Sequence, residues 1–144
     1  MTPKLPININ GLIPHQPPML LVDRLIRLTE DEAVSETVFP PDNSIFVKSD
    51  GEVEEAALFE MMAQTFAAFA AAGRGGFWPS AGYLVGVKRM KIHGPASAGV
   101  PVEVSVKIIS RVEDFSVVDG EVRQGGRLLA AGQITVFVPE EGVL

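Results

Sequence analysis

Between Ala56 and Ala72 the chain reads AALFEMMAQTFAAFAAA. Ala, Leu and Met are strong helix formers, and no Gly or Pro interrupts the run. The segment is apolar around its whole circumference, so it predicts a buried helix rather than a surface one. Its polar residues are Glu60, Gln64 and Thr65. Glu54 and Glu55 suit the positive end of the helix dipole. Ser49 and Glu52 have the spacing of a capping box. Gly73, followed by the loop Arg74-Gly75-Gly76, provides a C-terminal stop. Glu60 and Gln64 interrupt the low-charge stretch 56–73, which makes it a poor membrane span.

Everything around this helix reads as β. Leu20 to Leu28 and Ala33 to Phe39 predict two strands separated by a polar turn, Thr29-Glu30-Asp31-Glu32. Tyr83 to His93 predicts a third. Val100 to Arg111 predicts a fourth, with Val102, Val104, Val106 and Ile108 on one face and Glu103, Ser105 and Lys107 on the other. Phe115 to Arg123 and Leu128 to Val138 follow. Gly125-Gly126 suits the tight hairpin between them, and Asp119-Gly120 is a competing turn signal. The segment Ile13-Pro14-His15-Gln16-Pro17-Pro18-Met19 holds too many prolines for a helix interior and reads as extended and rigid. A sheet wrapped around one central helix satisfies this order. The sheet covers part of the helix, and a second copy of the fold is expected to cover the rest.

The 144 residues fit a single domain, 1–144, with residues 1–12 as an N-terminal arm. There is no Cys, so thiol nucleophiles, disulfides and Cys-based metal sites are excluded. The two histidines, His15 and His93, lack metal-ligand spacing, and no metal or cofactor is expected. Twelve Lys and Arg against 18 Asp and Glu give a net charge of −6, which argues against nucleic acid as the main partner. The expected object is a soluble cytoplasmic domain that does not engage a membrane.

Three stretches carry a family resemblance. Leu12-Ile13-Pro14-His15-Gln16-Pro17-Pro18-Met19-Leu20-Leu21-Val22-Asp23-Arg24 resembles an opening of the form P-H-R-x-P-x-L-L-V-D-R. Leu58-Phe59-Glu60-Met61-Met62-Ala63-Gln64 resembles L-E-A-M-A-Q. Tyr83-Leu84-Val85-Gly86-Val87, followed by Lys91, Pro95 and Gly99, resembles F-L-G-I-x-x-x-K-F-x-x-P-x-x-P-G-D. Together they resemble the 3-hydroxyacyl-[acyl-carrier-protein] dehydratases of the hotdog fold. The resemblance is to a divergent branch found in aryl polyene and related lipid gene clusters. It implies an α+β hotdog: an antiparallel sheet wrapped around one long buried helix, dimeric, acting in fatty acid or polyene biosynthesis.

The same resemblance implies a site built from a His in a G-H-F-P-G turn and an acid on the helix, contributed by different subunits. The His removes the C2 proton of a 3-hydroxyacyl thioester, and the acid protonates the departing hydroxyl. Backbone N–H groups at the helix N-terminus hold the thioester carbonyl. Here the acid position falls on Glu60. The turn is replaced by Val47-Lys48-Ser49-Asp50-Gly51-Glu52-Val53, and the His position falls on or near Asp50.

A carboxylate on such a helix costs several kcal/mol unless it is paired, hydrogen-bonded or protonated. Glu60 is therefore the candidate catalytic acid, with an ion pair at a dimer seam as the alternative. Gln64, at i+4, shares its face and is read either as orienting Glu60 or as a hydrogen-bonded core amide. Asp50 is a weak candidate for the missing base, better read as a helix cap or part of an Asp-Gly turn. His15 is read as a packing or hydrogen-bonding residue, and His93 as the exposed end of its strand. Lys88, Arg89 and Lys91, with Arg74 nearby, form a basic cluster suited to an acidic carrier protein or to protecting a strand edge.

Three functions follow. The first is a dehydratase-like subunit whose Glu60 works with a His-bearing hotdog paralogue. The second is a module that binds an acyl chain or carrier protein without catalysis. The third is a thioesterase in which Glu60 activates water. The partners implied are an acyl carrier protein or acyl-CoA thioester, and a second hotdog chain in a homodimer or heterodimer.

Overall fold

The computed structural model describes residues 4–42, 45–73 and 83–137. Alternating valines set the inner face of its sheet. Val102, Val104 and Val106 are buried while Glu103 and Lys107 stand exposed, as the two-residue period of a strand requires. The elements run β1 (Ile7–Asn8), β2 (Arg24–Leu28), β3 (Glu32–Thr37), α1 (Glu55–Gly73), β4 (Tyr83–Ile92), β5 (Val102–Val112), β6 (Phe115–Gln124) and β7 (Arg127–Phe137). All seven strands form one antiparallel sheet in the order β1-β2-β3-β5-β6-β7-β4. The sheet wraps α1, as the hotdog expectation requires.

Leu58, Met61, Met62 and Phe66 of α1 are fully or almost fully buried against this inner face. Each such side chain contributes roughly 1.5–3 kcal/mol relative to exposure. A buried polar contact crosses the interface between α1 and β3. Thr65 donates through Oγ1 to the Met61 carbonyl at 2.7 Å, so Ser35 donates to Thr65 across the 2.8 Å between their hydroxyls. A Cβ on Gly120 of β6 would stand 2.7 Å from Met62 Sδ, and one on Gly132 of β7 would collide with Met90 Sδ. Glycine at these positions lets the sheet and its neighbours close up.

The β6–β7 turn is Gly125-Gly126, with φ of +59° and +80°, the two-residue primed turn that suits a twisted hairpin. The competing Asp119-Gly120 lies within β6. Three details differ from the sequence reading. β2 begins at Arg24, not Leu20, because the preceding backbone bonds elsewhere: the Leu21 N–H donates to Gln64, and the Asp23 carbonyl accepts from Ile9. The N-terminal arm pairs Ile7 and Asn8 with β2 and buries Ile9 completely. The Ser49–Glu52 capping box does not form: α1 starts at Glu55, within one residue of the expected Ala56, and residues 47–53 are held by bridges Val47–Val53 and Glu52–Ser97. Arg74, the Arg74-Gly75-Gly76 loop and Val138 lie outside the described residues.

The sheet leaves one stripe of α1 uncovered. Ala56, Phe59, Glu60, Ala63, Ala67 and Ala70 keep some exposure, at the three- and four-residue spacing of a single helix face. Beside it, the edge strand β4 exposes Leu84, Val85 and Val87.

Candidate active site

Glu60 sits on that uncovered stripe, with its side chain 42% exposed in the single chain. It is not sunk in the core of the chain, which differs from the expectation of a buried carboxylate. One turn along the helix, Gln64 is 1% exposed and uses every polar group it has. Its Nε2 donates to Glu60 Oε2 at 2.8 Å and to the Met19 carbonyl at 2.9 Å, and its Oε1 accepts from the Leu21 N–H at 2.8 Å. Orienting Glu60 and satisfying a buried amide are therefore one arrangement, not two. The bonds to Met19 and Leu21 also staple the Pro-rich segment onto the helix.

That staple brings His15 to Glu60. His15 Nε2 lies 3.6 Å from Glu60 Oε2, with the His15 side chain 35% exposed. Sequence reasoning placed His15 in a packing or hydrogen-bonding role and did not foresee this neighbour. The contact spans 45 residues of chain, outside the reach of any periodicity argument. The motif order Pro14-His15 before Leu20-Leu21-Val22-Asp23 is the only sequence signal that precedes it. Asp23 completes the anchoring of the segment, since its Oδ2 accepts from the Val38 N–H at 3.0 Å and its N–H donates to Thr37 Oγ1 at 3.1 Å.

His15 and Glu60 line a cleft of about 100 Å³ together with Pro14, Ala63, Phe66, Ala67, Leu84 and Val136. One carboxyl and one imidazole thus face an otherwise apolar cleft. A carboxyl in that setting can give a proton to a departing oxygen, and a nearby imidazole can donate to it or accept from it. Asp50 does not line the cleft. It stands exposed, and its Oδ1 accepts from the Glu52 N–H at 2.9 Å in the Asp50-Gly51 turn. His93 is exposed just past β4, its backbone N–H donating to the Leu129 carbonyl at 2.7 Å. Lys88, Arg89 and Lys91 are exposed on β4, where the register slips and Arg89 takes a φ of +56°. Among the described residues, no group of three or more His, Asp or Glu is placed to hold a metal.

The profile of the ApeP-like family, described as ApeP dehydratase, matches residues 7–143. The chain belongs to the ApeP-like family. Among relatives of this ApeP-like chain is an uncharacterized thioester dehydrase of Halalkalibacterium halodurans, 25% identical, the match covering 94% of each chain. Among solved structures, the ApeP-like chain superposes on the dehydratase heterocomplex ApeI:P from Xenorhabdus doucetiae with a TM-score of 0.83, at 21% identity over 96% of this chain and 94% of the other. It also superposes on the uncharacterized protein PH1136 of Pyrococcus horikoshii, with a TM-score of 0.69, at 17% identity over 97% and 98%. The two superpositions share the hotdog fold.

Proposed function

We propose that this ApeP-like chain is the acid-bearing subunit of a 3-hydroxyacyl thioester dehydratase, completed by a second hotdog chain that supplies the turn His. The observation that carries this reading is Glu60, a carboxyl fixed by Gln64 at 2.8 Å on the mouth of an apolar cleft. Glu60 protonates the 3-hydroxyl as the C3–O bond breaks. The partner's imidazole takes the C2 proton, and the electron pair of the C2–H bond becomes the new double bond. Both protons are accounted for: one moves to the partner, one leaves as part of water.

Two features favour a second hotdog chain. The apolar stripe of α1 around Glu60 and the exposed residues Leu84, Val85 and Val87 on edge strand β4 are adjacent surfaces that a further sheet and helix would cover. The solved relative from Xenorhabdus doucetiae is a heterocomplex. A pantetheine-linked acyl chain, on an acidic carrier protein or coenzyme A, is the substrate class that fits an apolar cleft with basic Lys88, Arg89 and Lys91 on the neighbouring strand. The place of the reaction in fatty acid or polyene synthesis, in the cytoplasm, is part of the same proposal.

The test is reconstitution. The chain is mixed with hotdog paralogues that carry an intact G-H-F-P-G turn and assayed with 3-hydroxybutyryl-coenzyme A and a 3-hydroxyacyl carrier protein. Formation of a complex that dehydrates either substrate, with Glu60→Gln lowering kcat by about 10²- to 10⁴-fold, supports the proposal. No complex, or a fully active Glu60→Gln complex, overturns it.

A further inference from the structure

His15 has two ring nitrogens in different settings. Nε2 faces Glu60 Oε2 at 3.6 Å. Nδ1 is buried and has no hydrogen-bond partner. Because Nδ1 has no exposed surface, nothing approaching from outside the chain can reach it. A proton on Nδ1 would be an unpaired buried donor, whereas a proton on Nε2 faces the Glu60 carboxyl, so the carboxyl selects the Nε2–H tautomer. The ring N–H therefore belongs on Nε2, aimed at Glu60.

Glu60 Oε2 then has two donors directed at it, Gln64 Nε2–H at 2.8 Å and His15 Nε2–H at 3.6 Å. The second distance is beyond a hydrogen bond, and such contacts tighten when substrate fills a site. With Oε2 committed, the acid proton sits on Oε1, the oxygen free to meet a substrate hydroxyl. Once that proton leaves, the same two donors hold the carboxylate. Gln64 also fixes where His15 stands, because its bonds to Met19 and Leu21 pin the segment that carries the imidazole.

We propose that His15 is a positioning residue for Glu60: a neutral Nε2–H donor that, with Gln64, selects which carboxyl oxygen delivers the proton. This rests on the acid role of Glu60 given above. It assigns His15 no part in removing the C2 proton.

The experiment has two arms. In the reconstituted complex acting on 3-hydroxybutyryl-coenzyme A, His15→Ala is expected to lower kcat by about 10²-fold with KM little changed, the loss typical of a misplaced reacting group. His15→Gln places an amide N–H near the Nε2 position and is expected to recover most of that loss, leaving the pH profile unchanged. His15→Gln as inactive as His15→Ala, or full kcat in His15→Ala, overturns the proposal. The second arm needs no activity. The wild-type chain, ¹⁵N-labelled at histidine, has two imidazoles, and a His93→Asn variant assigns them. Long-range ¹H–¹⁵N correlations are expected to show His15 as the Nε2–H tautomer; an Nδ1–H tautomer overturns the proposal. A fully active Glu60→Gln complex defeats the acid role and with it the positioning role, whereas an Nδ1–H tautomer, or full kcat in His15→Ala, with an inactive Glu60→Gln complex defeats the His15 proposal alone.

Discussion

Gln64 donates to Glu60 Oε2 at 2.8 Å from one turn further along α1, and the same amide closes on Met19 and Leu21 of the Pro-rich segment. A buried side chain is thereby both a support for the candidate acid and a structural staple. The two roles separate experimentally.

Gln64→Leu keeps the volume and removes every polar partner. The Leu21 N–H becomes a buried orphan, at a cost of about 1–3 kcal/mol, while the more exposed Met19 carbonyl loses its partner at smaller cost. The expected loss is about 1–3 kcal/mol in urea unfolding of the chain. Glu60→Gln, which leaves the staple in place, is expected to shift the urea midpoint very little.

The Ser35–Thr65 pair predicts a non-additive cycle. Thr65→Val strips the acceptor from the buried Ser35 hydroxyl, while Ser35→Ala leaves Thr65 its bond to the Met61 carbonyl. Thr65→Val should therefore destabilise by about 1–3 kcal/mol, more than Ser35→Ala. Adding Ser35→Ala to Thr65→Val should recover part of the loss. A strictly additive cycle by thermal or chemical denaturation would contradict this arrangement.

Two glycines predict a rank order. A Cβ at 132 meets the Met90 Cα backbone at 3.1 Å as well as its side chain, whereas a Cβ at 120 meets only the side chain of Met62. A side chain can rotate away and a backbone cannot. Gly120→Ala is expected to cost about 1–3 kcal/mol, and Gly132→Ala more. Met62→Ala should relieve Gly120→Ala in the double variant.

Assembly is expected to depend on β4. Val85→Lys puts a charge on an edge strand that exposes Leu84, Val85 and Val87. Sedimentation equilibrium should show a loss of association with the second hotdog chain, while circular dichroism stays that of the folded chain.

The hotdog architecture was legible because each part of it is written in local pattern. The predominantly apolar Ala56–Ala72 run demanded a wrapped helix, and alternation in residues 102–108 demanded a half-buried strand. Gly125-Gly126 marked the turn that joins β6 and β7. Glu60 stood out because a carboxylate on that helix requires an explanation. His15 did not stand out, because its relation to Glu60 depends on a Pro-rich segment with no periodicity of its own, placed by hydrogen bonds to a residue more than forty positions away. The Ser49–Glu52 capping box is unformed for a similar reason, while the helix itself starts within one residue of the expected Ala56. The Ser49–Glu52 spacing is local, but the Asp50-Gly51 turn is held by the 95–99 loop, with Val53 donating to Ala96 and Ala98 donating to Gly51.

The bond from the Leu21 N–H to Gln64 Oε1 joins residues 43 apart in sequence and lies outside the strand ladders. Opening of the Pro-rich segment would therefore dismantle the site while the seven strands and the helix stay paired. Glu60 would keep Gln64 beside it on α1 but lose His15, leaving a folded protein whose candidate acid has only one of its two neighbours. For the proposed chemistry, the free energy of that local opening, read from hydrogen exchange at the Leu21 amide, would set the fraction of molecules with His15 beside Glu60. Site assembly and global stability would then be two separate equilibria of one chain.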